Sequence, residues 1–301
     1  MQLIVPYAAA RADEAQRVAA QLERPALAAF IARCAQPLRD DGDVDSLTTP
    51  HERAAARAYG WQGGDGCLPW AAHAAAQAGI DTGGLAWGLL QPVHWRVGSD
   101  EVGLVDPAAL DLSDDESRAL FDAAQALVAD AGCGFVWLDA SRWLVSHESL
   151  RGLATASIER AIGRDVERWL PRHAKAWSRL HSELQMVMYR EPVNDAREAR
   201  GIWAVNALWL SGCGARQTAN PRACGIDDRL RAPALAGDWS AWGQAWKTLD
   251  QEAIAPLLAA GGTLTLCGEA SSVTLAPSAG WWPSLRASLR RPAAAALLES
   301  L

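Results

Sequence analysis

The chain has 301 residues, half of them hydrophobic and 21% charged, with a formal net charge of −7. That length can bury a full core and the balance is that of a globular protein, while the acidic total gives no support to nucleic-acid binding, which needs a concentrated positive surface. No apolar run approaches the ~20 residues that span a bilayer, and Met1 to Tyr7 lacks the basic flank and cleavage site of a secretion signal, so no membrane role and a cytoplasmic location are expected.

Lys175 and Lys247 are the only lysines; the other cations are arginines, which with the Ala content reads as codon bias, the alternative being that some arginines serve as anion forks. The six cysteines, Cys34, Cys67, Cys133, Cys213, Cys224 and Cys267, include no Cys-x-x-Cys pair, so they read as reduced, mostly buried thiols rather than a disulfide framework or zinc site.

In chain order, residues 3 to 7 predict a short apolar strand, followed by an Ala-rich helical stretch to about Cys34 and a polar loop from Asp40 to Asp45. Thr49-Pro50-His51-Glu52 opens a helix with an N-cap, a proline at the first helical position and a capping-box glutamate, and Gly60 ends it. After the Gly63 to Gly66 loop comes a helix from Pro69 to about Gln77. A strand over Leu85 to Val97 turns at Gly98 and returns over Val102 to Val105. Ser113-Asp114-Asp115-Glu116 caps a helix to about Ala129, and Phe135 to Leu138 pairs with Trp143 to Ser146 across a tight turn.

Two long helices are then expected, Ala156 to Leu170 and Ala174 to Tyr189, with Pro171 between them. Val205 to Leu210 and Thr263 to Leu266 have the form of strands buried in a mixed or parallel sheet. Asp238 caps a helix from Trp239 to about Leu249, Val273 to Leu275 reads as a late edge strand, and residues 286 to 300 as a terminal helix. The alternation predicts an α/β fold, a mixed, mostly parallel sheet flanked by helices. No linker or repeat divides it, so a single domain over residues 1 to 301 is expected.

Fifteen tryptophans stand beside three Phe and three Tyr. Trp239, Trp242 and Trp246 fall on one helix face and read as core, and Trp137, Trp203 and Trp209 lie in or beside apolar strands. Trp281-Trp282, before Pro283, cannot form such a stripe and is the candidate surface for a protein partner.

The run from Pro192 to Gly214 joins an Arg/Asn-rich loop to an apolar strand with a Gly-rich exit. Here Asn194, Arg197, Arg200, Asn206 and Ser211, with the amides of Gly212 and Gly214, form a candidate site for a small phosphorylated or carboxylated metabolite, because guanidinium forks and Gly-turn amides are paired anion donors. The structural alternative is a salt-bridged surface, since Glu191, Asp195, Glu198, Asp227 and Asp228 lie among Arg190, Arg197, Arg200, Arg216, Arg222, Arg229 and Arg231.

The same run resembles a segment of archaeal-type cofactor-independent phosphoglycerate mutases. A wider resemblance, through Pro50-His51-Glu52-Arg53, Pro92-Val93-His94-Trp95, His147-Glu148-Ser149, Ile162-Gly163-Arg164 and Leu266-Cys267-Gly268-Glu269, is to the bacterial RpfE-type regulatory proteins. The mutase resemblance implies a core of the alkaline-phosphatase superfamily, two divalent metals and phosphoseryl transfer. Such chemistry needs clustered Asp and His ligands, yet the first strand ends Val5-Pro6-Tyr7-Ala8 without a carboxylate, no Asp-His dipeptide occurs, and no His follows His181. Ser211 stands where that family commonly has an arginine. A degenerate core is therefore expected, with no catalytic residues, no metal and no cofactor.

His51-Glu52 and His147-Glu148 could each be an acid/base pair or a helix and loop start; neither has a second His four residues on, which excludes a zincin-type site. His94 reads as a hydrogen-bonded core histidine or a strand-end site residue, Ser211 lacks the upstream glycine of a nucleophile elbow, and Cys213 is a reactive thiol or a buried one. The expectation is a non-catalytic, phosphoglycerate-mutase-like regulatory or binding protein. A metal-dependent mutase or phosphatase with a rearranged site, or a protein-interaction module, is the alternative.

Overall fold

The computed structural model describes residues 1–34, 36–171, 174–220, 224–277 and 294–301. They form two compact units, the first from Met1–Trp61 with Ala219–Leu301, the second from Gln62–Thr218. The first crossing is marked only by the short Gly63 to Gly66 loop, so the sequence alone reads as one unit.

The first unit begins with β1 (Gln2–Val5), α1 (Asp13–Gln21), α2 (Pro25–Arg33), β2 (Leu38–Asp40) and α3 (Pro50–Tyr59). The second contains α4 (Trp70–Gln77), β3 (Ala86–Val93), β4 (Trp95–Val97), β5 (Val102–Leu104), α5 (Asp114–Asp130), β6 (Gly134–Asp139), β7 (Arg142–Ser146), α6 (Ile158–Ala161), α7 (Lys175–Tyr189), α8 (Pro192–Ala199) and β8 (Ala207–Ala215). The chain then completes the first unit with β9 (Cys224–Ile226), α9 (Arg231–Leu235), α10 (Trp239–Leu249), α11 (Ala255–Ala259), β10 (Thr263–Cys267), β11 (Ser272–Leu275) and α12 (Ala294–Glu299). No described helix is long and apolar enough to cross a membrane.

The α/β architecture expected from the alternation is present: the sheet of the first unit is mixed and helix-flanked, in the order β2, β11, β10, β1, β9. Strand β1 runs parallel to both neighbours, with Leu3 beside Leu264 and Gly225, whereas β11 is antiparallel to β10 and to β2. Strand β11 is thus interior, not the edge strand expected. Its outer neighbour β2 is three residues in a polar stretch, too short to show a period. Side chains alternate across a strand, so Leu3 and Val5 join Leu264, Leu266 and Val273 in a core with α2, α10 and α12, while Ile4 points to the opposite face. The tryptophan stripe of α10 behaves as its spacing predicts: Trp242 and Trp246 are fully buried and pack edge to face at 6.2 Å.

Helix α10 runs into a π-turn, Asp250–Ile254, that carries the buried carboxylate of Asp250 to the start of α2. Its two oxygens accept from the amides of Ala26 and Leu27 at 2.9 and 2.8 Å, capping a helix whose own N-cap, Arg24, has no acceptor to offer. Arg24 is itself buried, lies 5.4 Å from the Trp246 ring centroid, and has its pKa lowered by burial against the opposing pull of Asp250.

The sheet of the second unit, in the order β6, β7, β3, β8, is antiparallel throughout. Strand β8 is accordingly an antiparallel edge strand. On one face Trp143 packs edge-on against Phe121 and Phe135, with Leu120 of α5 and Leu184 of α7 in the same core; on the other, Ala71, Ala72 and Ala75 of α4 lie on Trp87 and Leu144. The indole N–H groups of Trp137 and Trp143 both donate to Ser117 at 3.0 Å, so a buried hydroxyl in α5 sets the height of two strands. The long helix expected over Ala156 to Leu170 is only the four residues of α6, because Gly163 at φ 70° ends it and Asp165 caps a separate 3-10 turn. Residues Pro192 to Ala199, read as loop, are helix α8, with Pro192 at its first position.

Two consequences can be measured. Asp250→Asn removes one acceptor from α2 and the charge facing buried Arg24, and should lower stability by about 3 kcal/mol in urea denaturation. His181 is buried 5.1 Å from the Trp95 ring, and its pKa is lowered by burial more than the backbone of Leu208 raises it. An unfolded imidazole protonates near ~6.5 while the folded one resists, so stability is full above about pH 6.5 and falls as pH drops toward the folded value. His181→Phe should flatten that slope in denaturation series between about pH 7 and 5.

Candidate functional site

The structure corrects the anion site expected in the second unit. Asn194 is buried and fully engaged: its Oδ1 accepts from Val205 N at 2.8 Å, and its Nδ2 donates to Met188 O and Val205 O at 2.7 and 2.8 Å. Arg197 is 0% exposed, and each of its three side-chain nitrogens has a protein acceptor: Nε donates to Trp203 O at 2.8 Å, Nη1 to Glu116 Oε2 at 2.5 Å, and Nη2 to Leu110 O. Arg200, half exposed, pairs with the other oxygen of Glu116. Burial tends to raise the Glu116 carboxyl's pKa, but Arg200, Ser113 and Arg197 hold it below the usual carboxylate range.

Asn206 brackets Trp95, accepting from its N at 2.7 Å and donating to its O at 2.9 Å. Ser211, Gly212 and Gly214 lie within β8 rather than beyond its end, and Ser211 pairs with Leu89. Gly212 sits at φ 61°, and a Cβ there would lie 2.8 Å from Trp70 Cβ; the glycine exists so that α4 can rest on the strand. Cys213 is buried and its pKa is pushed up to about 12 by that burial, so it is inert rather than reactive. Trp203 is 42% exposed, with its ring tilted against that of His94 at 4.7 Å, outside the core expected for it. The Trp281-Trp282 pair and Arg222 lie outside the described residues.

The better candidate is the carboxyl edge of β1, β9 and β10 in the first unit. Three parallel strands deliver their following residues to one side of a sheet, the place where ligands collect in open α/β folds. Tyr7, two residues after β1, has φ 55°, a left-handed backbone that a bulky residue adopts only under constraint. The constraint is visible: Tyr7 O accepts from the indole of buried Trp242 at 2.9 Å, and Ala8 N donates to Cys267 O at 2.8 Å. The Tyr7 ring then lies 6.2 Å from that of His51 in the first turn of α3.

Around this pair the polar groups bond to one another. Thr49 and Glu52 form the expected capping box, and Thr49 Oγ1 is also 3.2 Å from His51 Nε2. Arg53 joins α3 to the turn after β10, donating to Asp40 Oδ2 at 3.0 Å, Thr48 O at 3.1 Å and Ala270 O at 2.7 Å. Arg57 binds the other oxygen of Asp40 at 2.8 Å. Burial opposes ionisation of Asp40, yet the hydrogen bonds and charges of Arg57 and Arg53 hold its pKa below the usual range. Beyond β9, Arg229 bridges Asp227 and Glu252.

Among the described residues no three His, Cys, Asp or Glu side chains come together to hold a metal ion, and Tyr7 occupies the end of β1. Sequence reasoning identified Thr49, His51 and Glu52 as a helix start; it missed Tyr7, because nothing in Val-Pro-Tyr-Ala announces a positive φ.

No family model and no curated protein matches the chain. Among solved structures it is similar to the cofactor-independent phosphoglycerate mutase from Thermoplasma acidophilum, at 14% identity over 96% of this chain and 94% of that one, with a TM-score of 0.37. It is also similar to the PH0037 protein from Pyrococcus horikoshii, at 9% identity over 96% and 91% of the two chains, with a TM-score of 0.49.

The two arginines of the corrected site should separate sharply. Arg197→Ala leaves Glu116 and two carbonyls facing a void and should cost about 3–5 kcal/mol in chemical denaturation. Arg200→Ala removes a half-exposed ion pair and should cost less than about 1 kcal/mol.

Proposed function

We propose that this chain is a non-catalytic binding or regulatory protein of phosphoglycerate-mutase-like build, in the manner of the RpfE-type proteins its sequence resembles. Its ligand is a small carboxylated or phosphorylated metabolite, taken at the carboxyl edge of the first unit. The observation that carries this reading is the locked left-handed backbone of Tyr7, with its ring beside His51. Strain of that kind is stored where geometry must be preorganised. The start of α3, closed by the Thr49–Glu52 capping box, is in the same place. The carboxylates there face arginines or amides of the protein itself, so the edge is arranged to hold its own shape rather than to move protons.

The experiment is a thermal-shift screen of the full chain with phosphoglycerates and related hydroxy acids, with and without Mn²⁺. A ligand present at 100 times its Kd stabilises the folded form by about 2.7 kcal/mol, and we expect a rise of several degrees with an acid alone. Tyr7→Gly should melt close to wild type, since glycine adopts the same backbone without the ~1–2 kcal/mol penalty of the left-handed region while losing the ring's packing, and should show no ligand shift. A shift that requires Mn²⁺, or turnover of a phosphate ester, would instead establish a metalloenzyme.

A further inference from the structure

The two edges of the second unit's sheet are unlike. Strand β8 is buried along most of its length, whereas no residue of β6 is fully buried. Strand β6 is hydrogen-bonded to β7 alone, so among the described residues its outer amides and carbonyls have no strand to pair with.

The composition of β6 does not suit an edge. Residues 135 to 138 read Phe-Val-Trp-Leu. Phe135 and Trp137 lean into the core that α5 covers, with Phe135 stacked on Phe121 at 4.0 Å, and Val136 and Leu138 lean into the core that α4 covers. All four are only half-buried. An apolar run on both faces belongs to a strand with neighbours on both sides. The usual protections of a free edge are missing too: Gly134 to Leu138 contains no lysine, no proline and no charge, and the irregularity in its pairing lies beyond Trp137.

The absent neighbour must therefore be a strand that is apolar on both faces and uncharged where it meets this run. We propose that it is β6 of a second copy of this chain, paired antiparallel across a two-fold axis, so that two four-stranded sheets become one continuous sheet. Such an axis keeps every side chain on its own face only when a residue lies on it. Val136, the centre of the uncharged stretch, meets that condition. Phe135 then lies opposite Trp137 of the second copy, an aromatic cross-strand pair, and Leu138 lies opposite Gly134. Asp139 falls outside the stretch, opposite the neutral Cys133, and its charge is answered within its own chain by Arg142 at 2.6 Å. No like charges meet. The inference concerns the second unit and does not rest on the reading given for Tyr7.

The test is analytical ultracentrifugation of the full chain, paired with hydrogen exchange. The wild type should sediment as a dimer at hundred-micromolar concentration. Val136→Lys sets two ammonium groups face to face at the axis and should sediment as a monomer with an unchanged circular dichroism spectrum. Should that variant fail to fold, the wild type decides alone: the amides of residues 134 to 138 should exchange at least about tenfold more slowly at hundred-micromolar than at low-micromolar concentration. A wild type that stays monomeric, a dimer whose amides over 134 to 138 exchange equally fast at both concentrations, or a folded Val136→Lys that still dimerises would each overturn the proposal. Protection of those amides in a monomer by an added extended peptide would overturn it in favour of a foreign strand.

Discussion

A guanidinium removed from water must have its charge and its donors answered, and Arg197 sets that requirement for the second unit. Its three nitrogens reach the carbonyl before the entry to β8, the carbonyl of Leu110 and the carboxylate of Glu116. Glu116 is also the capping-box residue of α5, so one carboxylate closes a helix start, neutralises a buried cation and receives Arg200. Helix α8, helix α5 and the entry to β8 are therefore placed by one ion pair. The desolvation of such a pair costs several kcal/mol and is tolerated only when geometry satisfies both partners, which is why the Arg/Asn-rich run looks like an anion site and is a fastening.

The first unit uses the same device with the signs exchanged. There a buried carboxylate, Asp250, fastens the start of α2, and the tryptophans on the preceding helix form the floor under β1. One of them, Trp242, holds the carbonyl of Tyr7 and so connects the core to the strained backbone at the sheet's edge. Packing and candidate site are one mechanical system: the indole that fills the interior also sets the angle at which Tyr7 meets His51.

Much of the architecture was legible in the chain. Capping boxes at Thr49 and Ser113, the Asp238 cap and the tryptophan period of α10 placed helices with little error, because each signal is local and its physics is short-ranged. The failures share a cause. Apart from α6, which the local signal of Gly163 truncates, β11 becomes interior because a three-residue strand flanks it, and Arg197 is buried by partners more than eighty residues away. Tertiary partners decide these features and leave no local mark. The candidate site was half legible: His51 and Glu52 stood out, whereas Tyr7 depends on a hydrogen bond from an indole 235 residues further along.

The interruption of the first unit has a consequence for how the chain comes into being. Strand β1 is made well before either of its parallel partners, which both lie beyond residue 220. Until they arrive its two edges are unpaired, and the second unit, continuous in sequence, can complete its antiparallel sheet first. Pairings across such separations are slow to close and leave exposed strand edges in the interval. The interval is kept safe by brevity: a four-residue strand ending at a proline offers a poor template for foreign strands. Strand β1 thus waits for β9 and β10, and the arrival of Trp242 determines when Tyr7 is locked in place.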